Sequence, residues 1–92
     1  MAKGMETITN TMSLPEIRGF IARLMVKADD LKRQKELISK LERASNDYQD
    51  RQDLDRVVHM LDNELCNTRE AIREVKAIYY NRRVEQLDRY AK

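Results

Sequence analysis

A chain of 92 residues forms at most one domain and buries too little surface to enclose a deep active site. Its 41% apolar and 37% charged residues exclude a disordered tail and suit helices with one buried stripe. The 18 basic and 16 acidic side chains leave a formal charge of +2, too even for a dedicated nucleic-acid binder.

No apolar run is long enough to span a membrane, and the first dozen residues carry no secretory signal, so a cytoplasmic protein is expected. The lone Cys66 rules out an internal disulfide framework. Only two Gly and one Pro occur, and no strong breaker follows Gly19.

Residues 1–12 show no sustained period and are read as a short flexible arm. At Ser13 a helix begins: Ser13 can cap, Pro15 fits the first turn, Glu16 completes a capping box, and Met12 and Ile17 occupy staple positions. Leu14, Ile17, Ile21, Leu24, Ala28 and Leu31 then follow the a/d spacing of a helix packed along one seam. The seam continues to Lys35 and Ile38 but meets Glu42. A stutter is expected there, with the apolar stripe sliding to Leu37, Leu41, Ala44 and Tyr48. Asp29 and Asp30 could cap a separate helix, but the unbroken stripe favours one helix over 14–45.

The polar stretch 45–52 predicts the connection, placed at 46–52. A second helix over 53–90 runs through Leu54, Val58, Leu61, Leu65, Thr68, Ile72, Val75 and Tyr79, its stripe shifting afterwards to Tyr80, Val84, Leu87 and Ala91. Two long helices joined by a short connection must fold antiparallel. The expected fold is all-α: an antiparallel, coiled-coil-like helical hairpin over 13–92. Pairing outward from the connection sets Leu41 near Val58, Ile38 near Leu61, Leu31 near Leu65 and Thr68, Leu24 near Ile72 and Val75, and Leu14 near Val84.

Apolar residues outside the seam gather toward the open end of the hairpin. Phe20, Met25, Tyr79, Tyr80, Val84, Leu87 and Tyr90 are the candidate interface, and their surplus predicts assembly into a dimer or larger helical bundle. Gly19 signals either close backbone approach or a frayed first turn. Residues 18–43 carry eight basic and four acidic side chains, 47–64 two and six, and 69–92 seven and four. The open end is therefore the basic one. Arg18, Arg23, Arg73, Lys76, Arg82 and Arg83 are candidate anion-binding residues, with tyrosines interleaved and acidic residues dispersed among them.

His59 shares a helix face with Asp55, yet no second ligand cluster accompanies it, and a salt-bridged His is the better reading. Glu64, Glu70 and Glu74 read as surface charges, and Cys66 as a partly buried thiol with no base nearby. No phosphate loop, catalytic triad or zinc spacing occurs, so neither enzyme activity nor a cofactor is expected. The leading expectation is a protein–protein interaction module (adaptor, assembly factor or inhibitor) that self-associates and binds a protein through its open end. Nucleic acid or another phosphate ligand at the basic end is the alternative.

Overall fold

The computed structural model describes residues 12–91, with side chains described as far as Arg89. Two helices, α1 (Leu14–Ala44) and α2 (Tyr48–Ala91), form an all-α hairpin. The expected arm lies outside the described residues except for Met12.

The start of α1 is the capping box read from the sequence. Glu16 N–H and Ser13 Oγ are 3.4 Å apart, the Ser13 hydroxyl donates to Glu16 Oε1 at 2.9 Å, and Ile17 N–H donates to the Ser13 carbonyl. Helix α1 runs uninterrupted through Asp29 and Asp30. The connection is shorter than 46–52, because Asp47 caps α2: its Oδ1 accepts from Gln49 N–H at 3.0 Å, and its carbonyl from Arg51 N–H. Ser45 Oγ ties the connection together by donating to Asp50 Oδ2 and accepting from Asp47 N–H. The polar residues 49–52 therefore build the first turn of α2.

The expected stutter does not occur. With seam positions lettered a and d, α1 contributes Leu14, Ile17, Ile21, Leu24, Ala28, Leu31, Lys35, Ile38 and Glu42, and every one is buried or half-buried. Half-buried Ser45 continues the series. Helix α2 contributes Leu54, Val58, Leu61, Leu65, Thr68, Ile72, Val75, Tyr79 and Arg82, again all buried or half-buried. Leu37, Leu41, Ala44 and Tyr48 are exposed instead. The regular seam of α2 demands a regular partner, and the aliphatic stems of Lys35 and Glu42 can line it while their charged heads reach water. This register pairs Leu24 with Ile72 and Leu31 with Leu65, but Ile38 with Val58 and Leu14 with Arg82. The expected Leu41–Val58 and Leu14–Val84 layers are not formed.

The described residues divide into two compact units. The terminal unit joins the residues up to Met25 with those from Arg69 onward; the connection unit is Val26–Thr68. In the terminal unit Ile17, Ile21, Val75 and Tyr79 form the core, with Met12, Leu14, Phe20 and Leu24 packed against it. Ile17 and Val75 are completely buried. In the connection unit Leu31, Leu65 and Thr68 are buried. Thr68 lies opposite Ala28 in the register and satisfies its hydroxyl by donating 2.8 Å back to the Glu64 carbonyl.

Candidate functional site

Going round a heptad helix the positions run a, e, b, f, c, g, d, so e and b share one side of each helix and c and g the other. In an antiparallel pair the g positions of both helices flank one edge of the seam and the e positions the other. The Lys27–Glu64 ion pair, g to g at 3.7 Å, fixes the first edge. Lys35 with Asp62 at 2.6 Å, and Arg18 with Tyr79, mark the second.

On the e edge of the terminal unit, Tyr79 fills an a position with its ring buried and its hydroxyl directed outward. Arg18 donates to that hydroxyl from Nη2 at 3.1 Å and Nε at 3.3 Å. The guanidinium carbons of Arg18 and Arg83 lie 6.0 and 5.9 Å from the ring centroid. Tyr80 meets the same ring edge-on at 5.6 Å. The Arg18 hydrogen bond, aided by the positive charges of Arg18 and Arg83 and opposed by burial, holds the Tyr79 hydroxyl below its ordinary pKa of 10.0.

The register separates charges that look mixed along the sequence. Within residues 12–25 and 69–89, Arg18, Arg69, Arg73, Lys76 and Arg83 occupy e and b, where no acidic residue stands. Glu16, Glu70, Glu74, Glu85 and Asp88 all fall at c, f or g. Tyr80 and Leu87 lie at b and Val84 beside them at f, each between 56% and 61% exposed. Past Arg82 no residue of α1 stands opposite α2, so this stripe runs along the outer face of that helix.

The other predicted residues are dispersed. Tyr79 belongs to the core of the terminal unit. Phe20, at g, is half-buried against that core on the opposite edge from Tyr80. Met25 is exposed at e, and the side chain of Tyr90 lies outside the described residues. Among the anion candidates, Arg18 is held by Tyr79, Arg82 sits in the seam and donates to the Met12 carbonyl, and Arg23 stands at c, away from the others. Arg73, Lys76 and Arg83 remain together, and Arg69, which sequence reasoning passed over, joins them.

Elsewhere, Cys66 is exposed at b, contrary to the expected partly buried thiol, because the seam passes through Leu65. His59 is exposed, with Nε2 3.3 Å from Asp55 Oδ2. Among the described residues no group of three or more His, Cys, Asp or Glu side chains could hold a metal, and no helix is long and apolar enough to cross a membrane. No protein-family model, curated protein or solved structure matches the chain.

Proposed function

We propose that this chain is a non-enzymatic helical interaction module, an adaptor, assembly factor or inhibitor, that self-associates and binds a protein partner through the e/b face of its terminal unit. The observation that supports this is the combination on one face of exposed Tyr80 and Leu87 with Arg69, Arg73, Lys76 and Arg83. Apolar side chains give such a face affinity, and an unopposed set of cations selects a partner of complementary charge. The partner that fits is an acidic amphipathic helix. Its apolar stripe would cover Tyr80 and Leu87 while its carboxylates meet the four cations.

Quantitative affinity capture from source cells tests the reading. A specific partner held by the wild-type chain is expected to be lost from a Tyr80→Asp, Leu87→Asp variant of unchanged helicity. Equal capture by both chains would overturn the assignment.

The same cluster of cations supports a second reading, a phosphate polymer on the e/b face. Binding to a single-stranded oligonucleotide would then weaken steeply as salt rises, with a log–log slope that flattens in Lys76→Glu, Arg83→Glu. Binding that is absent at low salt, or insensitive to the charge reversal, eliminates it.

A further inference from the structure

The register also leaves an unpartnered surface within the connection unit, along its g edge. Leu37 and Ala44 at c and Leu41 at g come from α1; Met60 at c and Val57 at g come from α2. Leu37, Leu41, Met60 and Val57 are 60%, 56%, 70% and 39% exposed. Because the Lys27–Glu64 pair shows that the g positions of both helices border one edge, these four side chains form one patch spanning two helices. Contiguous exposed apolar surface of this kind on a monomer usually marks an interaction site.

We infer that this patch is the self-association surface and that its occupant is the same patch of a second copy, with α1 of each chain lying on α2 of the other. This locates the self-association of the function proposed above, and it is independent of the e/b face.

The charge of the two helices selects the occupant and its orientation. At the c, f and g positions of the connection unit, α1 carries three basic side chains (Lys27, Arg33, Lys40) and one acidic (Asp30), whereas α2 carries one basic (Arg56) and three acidic (Asp50, Asp53, Glu64). Setting α1 against α2 of the second copy opposes a net positive helix to a net negative one on both sides of a two-fold axis parallel to the helices. Setting α1 against α1 would oppose like charges twice. The favoured arrangement makes all neighbouring helices antiparallel, as in a four-helix bundle, and brings Leu37 of one copy level with Met60 of the other. The patch is smaller than the roughly 800 Å² per partner of a standard interface, so the dimer is expected to dissociate on dilution through the micromolar range.

Sedimentation equilibrium across that range tests the inference on the full chain. The wild type is expected to pass from monomer to dimer. Leu41→Asp with Met60→Asp should remain monomeric at every concentration with unchanged helicity, because both side chains are already exposed. Tyr80→Asp with Leu87→Asp should dimerise like the wild type. A wild-type chain that stays monomeric, or a dimer that survives Leu41→Asp, Met60→Asp, overturns the proposal. Loss of the dimer only in Tyr80→Asp, Leu87→Asp also overturns it and moves self-association to the terminal unit.

Orientation is read separately in a Cys66→Ser background. Mixing Leu37→Cys chains with Met60→Cys chains should give a disulfide between unlike chains on mild oxidation. Crosslinks only between like chains would overturn the α1-on-α2 arrangement. A dimer that behaves as expected while partner capture is indifferent to Tyr80 and Leu87 would fail the e/b reading alone.

Discussion

Gly19 lies at an f position of α1, where an added Cβ would meet no described residue within 4 Å. No described residue makes a close backbone approach to it, and its backbone is ordinary helix. Gly19→Ala should stabilise the fold by about 1 kcal/mol, by lowering the chain entropy lost on folding. Thermal unfolding checks this: a rise of about 4–8 °C in Tm is expected for a domain of this size.

Tyr79 gives a second prediction at this scale. Its pKa is lowered in the folded chain, so between that value and the ordinary value near 10 the native state binds fewer protons than the unfolded state. The contribution of Tyr79 to stability accordingly grows as pH rises through this window and disappears as pH falls below it. Tyrosinate absorbance should include an early ionisation step, below pH 10, that belongs to Tyr79. The early step is expected to vanish in Tyr79→Phe and to move upward in Arg18→Gln.

At the scale of the helix, the feature that decides the surface is a conflict between register and composition. Both helices keep one heptad phase, although the apolar residues leave that phase after Ile38 in α1 and after Tyr79 in α2. The sequence pattern shows this departure clearly. Its spacing alone cannot say whether the helix follows the apolar residues or holds its phase, because that is decided by the partner helix. Opposite Leu54, Val58 and Leu61 the uniform seam of α2 wins, and Leu37 and Leu41 are turned outward, whereas Val84 and Leu87 lie past Arg82, where α1 offers no partner.

Lys35 is where the cost of holding phase is most visible. It occupies an a position facing Leu61 in the register, and its ammonium reaches Asp62 at the edge. Both partners keep substantial exposure, so the ion pair contributes little and the polar seam position weakens packing. Lys35→Leu should raise stability by about 1 kcal/mol, measured by denaturant midpoint at unchanged m-value.

For the molecule as a whole, the all-α hairpin was legible because heptad spacing, the Ser13–Glu16 box and a polar connection all point the same way. The connection itself was drawn too long, since Gln49, Asp50 and Gln52 resemble loop residues until Asp47 is recognised as their cap. The candidate site was legible as a list of cations and exposed apolar residues. Their arrangement was not, because segregation onto e and b emerges only once the seam is fixed. Six hydrophobic side chains are buried among the described residues, against ten large ones left exposed. That imbalance is the physical ground for expecting a partner for each of the two units.

The position of the best-packed core also has a kinetic meaning. Arg18 and Tyr79, beside the completely buried Ile17 and Val75, are 61 residues apart along the chain, whereas Lys35 and Asp62 are separated by 27. A chain closing from its connection first forms layers containing Glu42 and Lys35, which return little free energy for the entropy lost in closing them. The large return arrives only when the longest loop is shut. Folding is therefore expected to be slower than the local contacts of two helices imply, with a transition state that already holds the terminal layers together. Substitutions at Ile17 or Val75 would act mainly on the folding rate, and substitutions near the connection mainly on the rate of unfolding.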